Sequence, residues 1–543
     1  MTFPHGRADA PRAQEKPRTT NLQLFLLLAI IFALLFLLHL PLLALPYYWD
    51  EAGYFVPAAR DIYLTGDPVP RSTLSNAHPP LVMYYLALCW RLFGEGIQTT
   101  RAGMLFVSSL TLLGLFCLAR RVSSREVAFA TVVCTALYPV FFSQSSLAHL
   151  DMSVAALTIW GLFFYLPRRK DVEGEATSSN DEVEAPSSNS ATGRPRARRA
   201  SSLVLFALAA LAKETAILTP MALMSWEIFC WWRHRRREGA SSFCIEPRRS
   251  LVSAFGFLLT IVPLALWFAY HYRRTGYLLG NPEYFRYNVE STLNLARILR
   301  AGIGRLWHVT GYMNLFLLTG AAALSMLLLA PLRDAGVERK RIDVPVQLVF
   351  AVLILAHAAA LSIVGGAVLA RYILPVLPLL ILICVSTLRR RVRRWRLALA
   401  AVCVGFVLAL FVNPPTRFPW EDNLAYRDFI LLHAEAGKFL SEKYPNARVL
   451  TAWPATDELK NPYYGYTARP MNVAGIEHFS SEQLSAALRD RAPFDVALLF
   501  STNYEDDLSP EDAARLLGGR IVYRESRRGH WVAVVEMERA ISD

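Results

Sequence analysis

The chain has 543 residues and a net charge of +13; 54% of its residues are hydrophobic and only 19% charged, with a mean hydropathy of +0.29. A soluble protein of this length carries more charge and fewer unbroken apolar runs, so composition excludes an ordinary soluble fold. Nor does the basic excess mark a nucleic-acid partner, because Arg and Lys gather in short loops between apolar runs, the pattern that orients membrane proteins.

The run from Leu22 to Leu45 has His39 as its sole titratable residue. A bilayer core needs about 20 apolar helical residues, so this run is long enough to span. It is too long for a cleaved leader and lacks a small-x-small site before Tyr47, so it reads as an uncleaved first span. Arg7 to Arg18 place the tail, residues 1–21, in the cytoplasm, and residues 47–101 then form an outer loop. Within that loop HPPLVMYYLALCWRLF is too short to span and reads as an interfacial helix. A second span near Ala102 to Leu118 returns to Arg120 and Arg121.

A span from about Val127 leads out to a turn holding His149 and Asp151, and the next returns to Arg168, Arg169 and Lys170. Residues 168–200 are Ser, Glu, Ala and Arg rich without apolar period, which predicts a disordered cytoplasmic loop. Ser201 to Trp232 is broken by Lys213 and Glu214, which predicts two short spans with an outer turn at that dipeptide. Further spans are expected near Leu251–Tyr270, before Arg333, over Val346–Val368, after Arg371 and over Leu397–Val412, with a polar outer loop from His271 to about Arg305. The sum is a polytopic α-helical membrane protein with about eleven spans over residues 22–412, every strongly basic loop lying on one side.

Residues 413–543 change character and have the length of a small domain. Ala425 to Tyr444 reads as an amphipathic helix. Arg448–Ala452, Asp495–Phe500, Arg520–Tyr523 and Trp531–Glu536 read as strands. Ser509-Pro510-Glu511-Asp512 is a helix start. The expectation is a small external α/β domain. The seven cysteines, Cys89, Cys117, Cys134, Cys230, Cys244, Cys384 and Cys403, form no CxxC and read as small core residues, with neither a disulfide framework nor a thiolate metal site.

Several ionisable residues fall at outer boundaries. Asp50-Glu51 follow the first span, where acids either cap a helix or serve a site, since charge at the lipid boundary is costly. His78 precedes Pro79-Pro80, a turn signal in which the ring could hold a phosphate, a metal or nothing. Asp151 opens a span as a cap or a functional acid, and Lys213-Glu214 is an ion pair or a working pair. Arg371 is a snorkelling anchor or a guanidinium fork for a lipid phosphate. All of them fall on the outer side of the expected topology.

The segments WDEAGYF, AHPPL, FGEGIQTTRAGM, AHLDMSV, LAALAKETAIL and RYILPVLP occur in that order, and over roughly Leu22 to Leu388 the chain resembles the GT-C membrane glycosyltransferases, in particular the protein O-mannosyltransferase and lipid A aminoarabinose transferase family. The resemblance implies a GT-C fold and transfer of a sugar from a polyprenyl-phosphate carrier to a lipid, glycan or protein acceptor at the outer face of a bacterial inner membrane. It implies Asp50 as the loop acid that acts as base or orients the acceptor, Glu51 as its neighbour at the substrates and Asp151 as a second outer acid. Arg101, Lys213 and Arg371 would hold the carrier phosphate, and His78 and Glu214 would meet substrate or a divalent metal. Lipid A transferases carry an acid and a Lys before the two prolines, whereas Ala77 and His78 stand here. No nucleotide-binding glycine loop occurs. A polyprenyl-lipid transporter or flippase, an oligosaccharide ligase or polymerase, and a scaffold with an external binding domain are the competing readings. Transporters more often show internal repeats, which are absent here.

Overall fold

The computed structural model describes residues 21–167, 193–236, 244–245, 251–288, 290–364, 366–413, 421–489, 494–502 and 504–538. The expected cytoplasmic tail before residue 21 and residues 168–192 of the expected disordered loop lie outside them. The remainder of that loop differs from expectation, because Gly193–Ala212 is one helix: its Arg-rich first turns continue the apolar run after Ser202.

Among the described residues five helical stretches are long and apolar enough to cross a bilayer: Asn21–Leu42, Ile97–Val122, Leu251–Thr275, Leu295–Leu328 and Val344–Ile363. Leu81–Phe93, Leu150–Tyr165 and Trp395–Phe411 are shorter apolar helices. The chain is thus an integral membrane protein in which many helices are broken short of a full span. Breaks coincide with the ionisable residues singled out above. Ala212 ends one helix, a tight turn runs from Glu214 to Ile217, and Leu218–Arg236 continues. Similarly, a tight turn Ala370–Ile373 carries Arg371 ahead of Leu377–Arg391. A helix broken at this depth frees backbone groups, which is tolerated only against protein or a polar cavity.

The expected polar loop from His271 to Arg305 is partly helical: Pro282–Asn288 and Leu295–Thr310 are helices. Leu295, Leu299, Ile303 and Leu306 recur at helical spacing and are exposed, an apolar stripe on an otherwise polar segment that composition alone hides. Cys230 and Cys244 are joined in a disulfide, with Cα atoms 5.9 Å apart, against the expectation that no cysteines pair. The partners are 14 residues apart with no spacing signal between them, and the chain's return after Leu218–Arg236 brings them together.

The C-terminal domain holds a five-stranded sheet: β1 (Arg448–Ala452), β2 (Asn472–Ile476), β3 (Val496–Phe500), β4 (Gly519–Arg527) and β5 (His530–Met537), in spatial order β2-β1-β3-β5-β4. β1 runs parallel to both β2 and β3, while β5 is antiparallel to β3 and β4. Every residue of β3 is buried, as its unbroken VALLF predicts for a central strand. Its Val, Leu and Phe side chains each contribute about 1.5–3 kcal/mol on burial. Helix Ala425–Lys443 packs against β4 and β5. Helix Pro510–Leu517 begins at Ser509, whose hydroxyl accepts from the Asp512 amide at 3.1 Å, and ends at left-handed Gly518. β2 was not expected, since NVAGI is a partly exposed edge strand without alternation. β4 extends past Tyr523 through polar RESR because pairing with β5 supplies its backbone partners.

Candidate active site

Directly after the first span the backbone at Trp49 takes a left-handed conformation (φ 45°), and so does Ala77 (φ 57°) before His78. Such conformations cost a non-glycine residue free energy and cluster at functional sites. Between them Glu51–Phe55 forms a π-helical turn, another frequent companion of sites. These distortions set Asp50 and His78 on the wall of a cavity of about 590 Å³. Trp267 Nε1 fixes the second strained turn by donating to the Ala77 carbonyl at 2.9 Å, and Asn281 Nδ2 donates to Asn76 Oδ1 at 3.0 Å.

Asp50, His78, Lys213, Glu214 and Arg371 all line this cavity. Arg371 is buried and central. Its Nη2 donates to Asp50, its Nη1 lies 2.8 Å from Glu421 and 2.8 Å from His149 Nδ1, and its Nε lies 3.5 Å from Asp151. Lys213 Nζ donates to Asp151 at 2.7 Å and sits 3.9 Å above the Tyr372 ring. Asp151 therefore stands behind the cavity wall and pins both cations. Glu214 Oε2 lies 3.1 Å from His78 Nδ1, and the Tyr284 hydroxyl lies 3.4 Å from His78 Nε2. Among the described residues no three His, Cys, Asp or Glu side chains assemble as a metal set. His78 with Glu214 falls a ligand short of the usual protein set for a catalytic zinc ion.

Glu51 and Arg101 stand apart from these residues. Glu51 is 0% and Arg101 1% exposed, and they pair with each other through Arg101 Nη1 and Nη2. Glu51 also accepts from the amides of Tyr48 (2.9 Å) and Ala148 (2.5 Å). Arg101 also donates to the carbonyls of Pro46 (3.1 Å) and Ser146 (3.2 Å). With their polar atoms spent on protein partners, neither reaches the cavity. The pair clamps the first span's exit to the turn that carries His149. The two residues expected at substrate and at phosphate, Glu51 and Arg101, thus form a buried ion pair off the cavity wall.

The sequence reading missed Glu421. It sits after the last span and reaches Arg371 from across the cavity. A signal existed: Trp420-Glu421-Asp422 after the last span echoes Trp49-Asp50-Glu51 after the first. Burial pushes the Glu421 carboxyl up to about 7 against the pull of Arg371, and burial raises neighbouring Asp422 to about 6 although the Tyr312 hydroxyl donates to it at 2.8 Å. Also missed were Trp453, Glu477, Phe500, Thr502 and Tyr504, by which the C-terminal domain roofs the cavity.

A bundle of broken apolar helices, with acids and cations converging beneath a small α/β domain, is a fold like that of the GT-C membrane glycosyltransferases. Comparisons with known proteins support that likeness. Residues 77–172 match the family described as dolichyl-phosphate-mannose-protein mannosyltransferase. ArnT from Cupriavidus metallidurans bound to undecaprenyl phosphate superposes with a TM-score of 0.53 at 15% identity, over 96% of this chain and 99% of that one. Its apo state gives 0.53 at 16% identity, over 93% and 97%. No curated protein matches the chain by sequence.

Proposed function

We propose that the protein is a glycosyltransferase that moves a sugar from a polyprenyl-phosphate carrier to an acceptor hydroxyl at the outer face of a bacterial inner membrane, with the N-terminus cytoplasmic and the C-terminal domain outside. The observation that carries this reading is the cavity in which Asp50 and two cations, Lys213 and Arg371, meet at the ends of broken membrane helices. The similarity to an ArnT structure bound to undecaprenyl phosphate supports a carrier of that chemistry.

In the step proposed, the acceptor oxygen bonds to the sugar's anomeric carbon as the bond from that carbon to the phosphate oxygen breaks. The electron pair stays on the departing lipid phosphate, and the hydroxyl proton passes to Asp50. Attack opposite the leaving group inverts the anomeric centre. Arg371 and Lys213 stabilise the charge growing on the phosphate, a role suited to cations preorganised out of water. Asp50 is about one-third exposed, so an acceptor can reach it, while Arg371 is buried and fixed. The apolar wall formed by Leu361, Val364 and Leu369 suits the first isoprene units of the carrier.

The test is incubation of purified protein with radiolabelled polyprenyl-phosphate sugars and a membrane extract, beside Asp50→Asn. Label should leave the carrier with the unmodified protein alone. Binding of the lipid with no transfer from any carrier would favour a lipid transporter instead.

A further inference from the structure

The C-terminal domain meets the cavity by one edge of its sheet. Trp453 follows the last residue of β1, Glu477 follows the last residue of β2, and Phe500 ends β3 with Thr502 just beyond; all four line the cavity. These are the carboxyl ends of the domain's three mutually parallel strands. From β1 the chain passes to β2 on one side and then crosses to β3 on the other. The crevice between β1 and β3 is therefore a topological switch point, and open α/β sheets bind ligands in that crevice.

The chemistry at this edge points to a ligand class. Trp453 is 39% exposed, and its ring meets Trp49 at a centroid distance of 4.3 Å and an angle of 67°. Gly53 lies against it, where a Cβ would stand 3.1 Å from Trp453 Cζ2. Two indoles held at this angle offer an apolar face with polar groups at its border. Glu477 is exposed at the rim, and the Thr502 hydroxyl donates to Asp507 and accepts from the Tyr504 amide at 3.2 Å, which leaves one lone pair for a hydroxyl donor. An apolar face ringed by acceptors matches a sugar ring, which has C–H faces and equatorial hydroxyls. Charge argues the same way. Asp50, Glu214, Glu421 and Glu477 face the cavity against Lys213 and Arg371, which are engaged with Asp151 and Asp50, so an anionic acceptor would be repelled. Trp49 is also the neighbour of Asp50, so a ring on the indole pair holds its hydroxyl at the candidate base.

We infer that the carboxyl edge of the C-terminal sheet is the acceptor site and that the acceptor is an uncharged carbohydrate, bound on Trp453 and Trp49 with Glu477 and Thr502 at its hydroxyls. This rests on the transferase reading above. The accepting hydroxyl loses its proton to Asp50 as its oxygen bonds to the donor's anomeric carbon, and the lipid phosphate leaves with the bonding pair.

The test uses the full-length protein in lipid nanodiscs with a labelled polyprenyl-phosphate sugar that the protein cleaves. Two products are counted together: sugar transferred to p-nitrophenyl glycosides, and sugar released to water. A Ser- and Thr-containing hexapeptide competes as acceptor. We expect transfer to a glycoside, with the ratio of glycoside product to free sugar falling at least tenfold in Trp453→Ala and several-fold in Glu477→Gln. A variant that merely folds poorly lowers both products together and leaves the ratio in place. Label on the peptide and none of the glycosides, or a ratio unmoved in both variants, overturns the inference while release to water upholds the transferase reading. Absence of any cleavage by the unmodified protein, from every carrier tried, overturns both.

Discussion

The Arg371 guanidinium lies 2.8 Å from Glu421, a carboxylate that arrives from the far side of the last membrane helix. With Asp50 and Asp151 also at the guanidinium, three acids share one cation before any donor enters. A donor phosphate must compete with them. Burial already holds the Glu421 carboxyl up at about 7, with Asp422 and Asp50 adding to the effect of burial. A raised carboxyl favours the folded state at low pH, and that benefit is lost as pH rises through about 7. The same ionisation strengthens the competitor for Arg371. The apparent KM for the lipid donor should therefore rise several-fold from about pH 6 to about pH 8, either side of that value. Glu421→Gln should lower the KM at the upper pH and flatten the profile. A KM that rises in the variant would show that Glu421 instead holds Arg371 in its working position.

Asp50→Asn should lower kcat by about 10²–10⁴-fold, the usual contribution of a positioned general base. The amide keeps the shape and can still face Arg371, so the donor should bind. Single-turnover transfer measured beside donor binding separates the two effects. Normal turnover in the variant would remove Asp50 from the chemistry.

Arg371→Lys should raise the donor KM by at least about tenfold, roughly 1.4 kcal/mol. Each guanidinium nitrogen has a different partner: Nη2 with Asp50, Nη1 with Glu421 and His149, and Nε with Asp151. One ammonium cannot occupy that fork. Titration with the lipid donor reads the effect. If only the acceptor KM moved, the phosphate role would be lost.

Glu51→Gln should act on stability. Removing one charge from a pair that is almost fully buried leaves Arg101 uncompensated, a cost of about 3–5 kcal/mol. The melting temperature of the purified protein in detergent should fall accordingly. An unchanged melting temperature together with a lost activity would return Glu51 to the substrates.

The sequence alone determined much of the membrane domain. Long apolar runs closed by Arg clusters have one low-energy solution in a bilayer, the helix, because the lipid offers backbone groups no partners. The same logic placed Asp50, His78, Lys213, Glu214 and Arg371 on one side, and the structure gathers them around one cavity. Local signals sufficed again where a cap or an unbroken strand was involved, as at Ser509 and over Val496–Phe500.

What the sequence could not apportion was which charge serves the cavity and which serves the fold. Asp50 and Glu51 are adjacent and alike in chemistry, yet the π-helical turn after the strained Trp49 sends one to the cavity and the other to Arg101. Asp151 reads as an outer acid, but only packing sets it behind Lys213 and Arg371. Glu421, Trp453 and Glu477 belong to a segment that reads as a separate domain, and docking of that domain's strand ends on the membrane bundle makes them part of the site. Periodicity and composition report how a residue relates to its own helix or strand. Contacts between residues hundreds of positions apart depend on how whole elements pack, and only the tertiary structure decides them.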